Sequence, residues 1–317
     1  MYNIVVTVAL LLLAMISTLL GVASTEINEI FVQGSHSYNI FIFSRIPRTI
    51  SIIVAGFGMS ICGLIMQQLT MNKFVSPTTA GTSEASKLGI LVAMIFFPYE
   101  SLILKMIVAS IFAMGGTFLF LGIIRKIKSK DNVLVPLIGI MISGIVSSLT
   151  MFFAYKGDMI QNLSAWLFGD FSGVIKGNYE LLYLAIPLVI VAFLYSKKFT
   201  ISGLGEEFAT NLGLNYKQVV NIGLGLVCII SSLIIITIGA IPFLGLIIPN
   251  IVSMFNGDNL SKNIYLSGIS GSAFLLLCDI LGRVIIYPYE IQIGLVSGVI
   301  GSGIFLILIL RRLKLEY

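Results

Sequence analysis

Long apolar runs dominate this chain of 317 residues and limit what it can fold into. Its mean hydropathy is +1.05, and only 10% of its residues are charged, whereas a soluble chain needs about 25% to cover its surface. A helical membrane span needs about 20 mostly apolar residues, while the strands of an outer-membrane barrel alternate over about ten. The runs here are long and do not alternate, so the sequence predicts an all-α, polytopic membrane protein.

The apolar runs predict about ten transmembrane helices. No basic residue precedes the first run, so we interpret it as a retained span and not as a signal peptide. Residues 156–180 are too polar to span, and Trp166 and Phe168 indicate an interfacial helix with an aromatic anchor. The predicted spans cover residues 4–23, 48–68, 84–98, 102–124, 133–155, 181–196, 218–238, 241–256, 264–282 and 292–311.

The basic residues indicate how the spans are oriented. An even number of spans places both termini on one side, and the basic segments 125–130, 197–198 and 311–314 then share that side. Most of the 19 lysine and arginine residues fall there, as the positive-inside rule expects for the cytoplasmic face. We therefore expect a multi-pass protein of the cell membrane with both termini in the cytoplasm. The net charge of +5 is explained by this topology, so no nucleic-acid partner is expected.

One long stretch, "SGLGEEFATNLGLNYKQ" at residues 202–218, resembles part of a soluble protein and lies between spans six and seven on the cytoplasmic side. Gly205 and Gly213 are signals for the boundaries of a short helix. A helix docked on a partner and a solvated loop both agree with this pattern. The apolar side of the helix would carry Phe208, Leu212 and Leu214, and the polar side Glu206, Glu207, Thr210 and Asn211.

Three arginines lie at the predicted outer ends of spans, against the general charge bias. Arg45 and Arg48 precede and begin span two, and Arg283 ends span nine. Such arginines either extend towards lipid headgroups or bind carboxylates of an extracellular partner, and the sequence leaves both alternatives open. Asp279 lies one helical turn before Arg283, so we expect the two to pair near the outer interface.

Motifs for a bound nucleotide, a metal or catalysis do not emerge. The sequence contains no G-x-x-x-x-G-K-[ST], so any ATP must be bound by another polypeptide. His36 has no second ligand at metal-binding spacing, and Cys62, Cys228 and Cys278 fall inside apolar runs, where cysteines are usually buried. No nucleophile with a partner base is found either. We therefore expect no metal, no cofactor bound by this chain and no enzyme.

Several separate motifs, in the same order, resemble the permease family of type II ATP-driven importers for vitamin B12, haem and iron-siderophores. The resemblance covers roughly residues 40–312 and includes "SRIPRTI", "LGEEFATNLGL", "GAIPFLGLIIPNIV" and "CDILGR". The chain is most similar to the Gram-positive iron-siderophore permeases that take catecholate-type ligands such as petrobactin.

The resemblance implies one transmembrane permease domain over residues 1–317 that forms a translocation pathway with a second permease, either itself or a similar chain. It also implies two ATP-binding subunits on the cytoplasmic side, which hold ATP and Mg, and an extracellular solute-binding protein, expected to be a lipoprotein. By the same resemblance, residues 202–217 contain the coupling helix that docks on the ATPase. The residues implied there are Gly205, Glu206, Glu207, Phe208, Leu212 and Gly213.

On the outer face, the resemblance places Arg45, Arg48 and Arg283 where the family binds acidic residues of the binding protein. Along the cargo pathway we expect polar residues of the stretch 76–86, namely Ser76, Thr78 and Thr79, together with Asn250 in span eight. The chain departs from the family at Asn250, where histidine is common, and at Lys73, where proline is common. Their part at the cytoplasmic end of the pathway therefore stays open.

The sequence thus predicts the permease subunit of an ATP-driven importer of iron-siderophore complexes. An ATP-independent secondary transporter or channel is the alternative, and within the family the cargo could be haem or vitamin B12. Transporters driven by protons or sodium usually carry several ionisable residues near the midplane, and this chain offers few. We therefore expect an external energy source.

Overall fold

The computed structural model describes residues 2–21, 32–126, 134–161, 163, 168–177 and 179–313, and these residues contain helices and connections but no strand. A π-helical turn over Phe41–Arg45 joins α2 to α3, and a 3-10 turn over Glu180–Leu184 leads into α7. The helices are α1 (Tyr2–Leu19), α2 (His36–Ile40), α3 (Ile46–Thr70), α4 (Thr82–Phe96), α5 (Leu102–Lys126), α6 (Leu134–Lys156), α7 (Ala185–Ser202), α8 (Glu206–Asn211), α9 (Tyr216–Ile238), α10 (Leu244–Asn256), α11 (Leu260–Val284) and α12 (Ile293–Leu313).

The predicted polytopic helical fold is confirmed. In the described part of the chain, 7 helical segments are long and apolar enough to cross a membrane. They correspond to α2 and α3 together, α5, α6, α7 with its preceding turn, α9, α11 and α12. The remaining three predicted runs form α1, α4 and α10, so each of the predicted apolar runs contains a helix.

Two of these helices are shorter than a full crossing. α4 has 15 residues and α10 has 13, which at 1.5 Å per residue gives about 22 and 20 Å against roughly 30 Å of hydrocarbon. The connections that precede them, residues 71–81 and 239–243, are largely buried in the bundle. Non-helical backbone is tolerated at membrane depth where protein surrounds it or where it lines a cavity. We therefore infer that each connection covers the part of the membrane thickness that the short helix after it does not cover.

Glycine contacts hold α3 in the centre of the bundle. A Cβ on Gly63 would lie 1.7 Å from the carbonyl oxygen of Gly245 in α10, and one on Gly56 would lie 2.7 Å from that of Gly271 in α11. Lipid gives helices no hydrophobic reason to associate, so close van der Waals packing through small residues has to hold them together. The glycine series of the sequence therefore mark the surfaces where α10 and α11 approach α3.

The interfacial helix predicted within residues 156–180 is wrong for residues 168–177. Residues 160, 161 and 163 are helical and Trp166 lies outside the described residues, whereas residues 168–177 form turns and irregular chain. The Asp170 amide donates to the Ile238 carbonyl (2.8 Å), and the Gly169 amide donates to the Ala240 carbonyl (2.8 Å). The last carbonyls of a helix lack hydrogen-bond donors inside the helix. The amides of this segment are the donors for the end of α9 and for the connection that follows it. It is therefore inserted into the bundle.

Candidate functional site

The predicted coupling segment forms a separate short helix, α8, between α7 and α9. Gly205 precedes it at φ 108° and Gly213 follows it at φ 78°, a backbone region that favours glycine. The Leu214 amide donates to the Ala209 carbonyl (3.0 Å) and the Gly213 amide to the Thr210 carbonyl (2.8 Å). These two hydrogen bonds form a Schellman motif that ends the helix. The expected helix boundaries at both glycines are confirmed.

α8 presents acidic and apolar side chains together on the surface. Ala209 is buried and anchors the helix to the bundle, whereas Glu206 and Glu207 are exposed. Phe208 and Leu212 are 50% and 58% exposed. Large apolar side chains rimmed by charged ones are typical of a surface that binds another protein. The ATPase as the partner stays a prediction.

The base of α8 is connected to several helices of the bundle. At the end of α7, the Thr200 carbonyl accepts from Gln68 Nε2 of α3 (3.3 Å), and Thr200 Oγ1 accepts from the Ser261 amide of α11 (3.1 Å). On the other side, Asn215 Oδ1 accepts from the Gln218 amide (3.2 Å) and caps the start of α9. The residues that flank α8 are therefore hydrogen-bonded to α3 and α11 and cap the start of α9.

The three predicted docking arginines lie at the opposite end of the bundle, where α3 begins and α11 ends. Arg45 Nη1 donates to the Leu19 carbonyl (2.9 Å), and Arg283 Nη1 donates to the Leu20 carbonyl (2.6 Å). These carbonyls belong to the C-terminal end of α1, where free carbonyls and the helix dipole favour a cation. Arg45 and Arg283 thus cap α1.

Asp279 joins two of the arginines. The expected ion pair between Asp279 and Arg283 is present, but it is fully buried and not at an exposed interface. Arg48 Nη2 lies 2.8 Å from Asp279 Oδ1, and Arg48 Nη1 lies 2.7 Å from Glu290 Oε2. Ser17 Oγ also donates to Asp279 (3.2 Å). Arg45, Arg48, Asp279, Arg283 and Glu290 together connect α1, α3 and α11, and we call them the outer arginine cluster, after the face on which the bias of basic residues predicts them.

The arginines of this cluster are therefore already engaged with protein groups. Arg45 and Arg283 are 6% and 5% exposed, and the Arg48 side chain is 12% exposed. The sequence predicted the pair of Arg283 with Asp279, but it could not reveal the carbonyls of α1 that bind Arg45 and Arg283, because they lie far away along the chain. Docking of a binding protein at these arginines stays a prediction.

A cavity of about 450 Å³ lies between the start of α4, the connection 239–243 and the first half of α12. Of the predicted pathway residues, Thr78 lines this cavity. Ser76 and Thr79 shape the connection before α4 instead, because the Ser76 amide donates to Thr79 Oγ1 (2.8 Å) and the Ser76 hydroxyl lies 2.9 Å from that of Thr78.

Asn250 connects the middle of α10 to the same connection, which contains Lys73. Asn250 Nδ2 donates to the Lys73 and Leu246 carbonyls, both at 2.7 Å. Lys73 Nζ lies 2.7 Å from Asp258 Oδ1, and both side chains of this pair are exposed. The structure thus gives these two residues contacts that hold neighbouring elements together.

Two charged residues of the cavity were missed in the sequence. Glu84 and Lys87 line it from the first two turns of α4, and Lys87 Nζ lies 2.7 Å from Glu84 Oε1. Their spacing of three residues inside an apolar run is the signal that could have found them, because it predicts an ion pair on one helix face. Phe168, predicted as a membrane anchor, also lines this cavity.

Central helices packed through glycines, a short helix beside a cavity and an exposed short helix at one end are the features of a polytopic helical membrane protein. The model of the FecCD transport family matches residues 9–312, and the chain belongs to this family. It is therefore a transport protein and not a catalytic enzyme.

Two relatives and one solved structure extend this likeness. The petrobactin import system permease protein YclN of Bacillus subtilis is 55% identical over 96% of both chains. The ferric-anguibactin transport system permease protein FatD of Vibrio anguillarum is 38% identical over 86% of this chain and 87% of its own. A structure described as an inward-facing conformation of a metal-chelate type ABC transporter has a TM-score of 0.81 at 22% identity, over 98% of this chain and 99% of that one. The last likeness establishes a shared fold.

Proposed function

We propose that this chain is the permease subunit of an ATP-driven importer of iron-siderophore complexes. The observation that carries the proposal is the 55% identity, over nearly the whole chain, to a petrobactin import permease. The ferric-anguibactin permease among the relatives supports the same class of cargo. The chain performs no chemistry itself, and separate ATPase subunits bind ATP and Mg.

α8 is the proposed contact with the ATPase. Its exposed carboxylates at Glu206 and Glu207 and its apolar side chains at Phe208 and Leu212 offer both polar and apolar anchors. When the ATPase subunits close on ATP, they move α8, and the hydrogen bonds at Thr200 pass this movement to α3 and α11. Because packed interfaces have discrete arrangements, a small displacement can switch the bundle between outward- and inward-open states.

The proposed assembly contains two permease chains, which are copies of this one or this one and a similar chain, and two ATPase subunits. Both termini and α8 face the cytoplasm, in agreement with the bias of basic residues. The outer arginine cluster then faces the extracellular binding protein. Within the cluster, Arg48 and Glu290 form the part that can meet acidic or basic groups of that protein, because Arg45 and Arg283 are needed to hold α1.

The cavity beside α4 and α12 is the proposed part of the cargo pathway. Thr78 contributes to its wall directly, whereas Ser76, Thr79 and Asn250 shape the connection that carries Thr78. A passage for a large chelate has to bind weakly enough to release it.

The test combines Glu206→Ala and Glu207→Ala in one variant that is co-expressed with the ATPase. We expect at least a roughly tenfold loss of ATPase retention and of ferric-siderophore uptake, since two charge-assisted contacts are removed. Glu100→Ala is the matched control, because it removes an exposed carboxylate at the other end of the bundle. Unchanged ATPase retention would contradict the assignment of α8. Uptake without ATP would favour a channel or secondary transporter. Uptake of haem or vitamin B12 but not of a ferric siderophore would change the assignment of the cargo.

A further inference from the structure

The cavity contains polar groups whose hydrogen-bonding capacity is not used up inside the protein. Ser83 is 2% exposed and lines the cavity, and its Oγ is buried without a hydrogen-bond partner among the described residues. Lys87 is 5% exposed, and its ammonium has three donors. In the described part of the chain, the acceptor found for them is Glu84 Oε1 at 2.7 Å. Buried polar groups are normally satisfied, so these groups point to a ligand.

The surroundings of these groups favour negative charge. α4 begins at Thr82, after Gly81, which as a glycine has no side chain to cap the first turn. The N-terminus of a helix carries about half a positive charge, which adds to the charge of Lys87. Glu84 offsets one positive charge, so the region keeps a weak positive excess. An arrangement of this kind attracts an anion without holding it tightly.

The remaining walls suit a ligand that is partly apolar. Phe168 and Phe243 contribute aromatic rings to the cavity, and Gly294 and Gly298 of α12 leave room beside them. An anionic oxygen of the ligand carries the same kind of charge as the Glu84 carboxylate, so it can replace Glu84 as the partner of Lys87. Glu84, whose side chain is 21% exposed, then competes with the ligand for Lys87 and keeps the contact weak. Such an exchange gives the weak, reversible contact that a transport pathway needs.

We propose that Ser83, Glu84 and Lys87 form a contact site for the anionic oxygen groups of the chelate in transit. The proposal rests on the proposed function, because it takes the cavity to be part of the cargo route. The ligand class is a ferric chelate with anionic oxygen donors on aromatic or apolar groups. Lys87 and Ser83 donate to these oxygens, and Glu84 restores the resting ion pair after the cargo has left.

The electrostatic part of the test uses Ser302→Cys as a reporter in the complete importer reconstituted in lipid. Ser302 is exposed and lines the cavity, while the three native cysteines are buried. The measured quantity is the ratio of the labelling rates by an anionic and a cationic methanethiosulfonate of similar size. We expect Lys87→Gln to lower this ratio by roughly fivefold and Glu84→Gln to raise it by a similar factor. Lys87→Arg, which keeps the charge, should leave it unchanged.

The ligand part of the test measures protection of the same cysteine by ferric tris-catecholate. We expect this probe to slow labelling in the parent protein and to protect the Lys87→Gln variant several-fold less. Lys73→Gln is the control, since this lysine pairs with Asp258 at an exposed site outside the cavity and should change neither result. A labelling ratio that neither Lys87→Gln nor Glu84→Gln alters would overturn the proposal, as would equal protection with and without Lys87. Neither measurement requires ATP-driven uptake, so a failure of the proposed function would be recognised separately, by the absence of uptake in the parent protein.

Discussion

Removal of the Asp279 carboxylate should destabilise the bundle far more than removal of an exposed acid. Asp279 is fully buried and accepts hydrogen bonds from Arg48, Arg283 and Ser17. Asp279→Ala leaves two guanidinium groups without their shared carboxylate, and breaking a buried ion pair in this way costs about 3–5 kcal/mol. The capping of α1 by Arg283 depends on the same contact, so the loss should extend to the packing of α1.

The measurement is the free energy of unfolding in mixed micelles, followed by circular dichroism as the fraction of denaturing detergent rises. Asp258→Ala is the matched control, because its pair with Lys73 is 64% and 41% exposed and should contribute less than about 1 kcal/mol. We expect Asp279→Ala to lose at least about 2 kcal/mol more than Asp258→Ala. Equal losses would refute the argument that the outer arginine cluster holds α1, and would favour a cluster that mainly serves docking.

Two further substitutions test the packing of α3 and the geometry of α8. Gly63→Ala should lower the thermal unfolding midpoint in detergent, because its Cβ would lie 1.7 Å from the Gly245 oxygen and overpacking costs about 1–3 kcal/mol. Gly144→Ala is the control and should leave the midpoint unchanged, since nothing lies within 4 Å of the added Cβ. Equal midpoints for the two variants would contradict the close contact at Gly63. Gly213→Ala forces a side chain into φ 78° at a cost of about 1 kcal/mol, so retention of the ATPase should fall by roughly fivefold, while the midpoint should fall less than in Gly63→Ala, because α8 lies on the surface. Full retention would mean that ATPase binding does not depend on the conformation at the end of α8.

Hydropathy was sufficient to predict the helices, because a membrane span needs a long apolar run wherever it lies in the bundle. The predicted runs 84–98 and 241–256 are already as short as α4 and nearly as short as α10, but hydropathy did not predict that the connections before these helices are buried. The turns at residues 168–177 were mistaken for part of an interfacial helix, since their polar backbone is satisfied by α9, a contact that no local pattern reveals.

The sequence predicted the features of the candidate site that depend on neighbouring residues, but not those that depend on contacts between distant parts of the chain. Gly205 and Gly213 mark α8 because each occupies a backbone conformation that favours glycine. By contrast, the sequence placed Arg45 and Arg283 at the end of the bundle opposite α8, where the structure has them, but could not reveal their partners in α1. The cavity beside Lys87 likewise depends on α12, more than 200 residues further along the chain.

The central claim is that a separate ATPase drives this permease through α8. It is tested most directly by the accumulation of a ferric siderophore in proteoliposomes that contain the permease with or without its ATPase, with the binding protein present in both cases. We expect accumulation against a gradient only when the ATPase and hydrolysable ATP are both supplied. Accumulation by the permease in the absence of any ATPase would contradict the account.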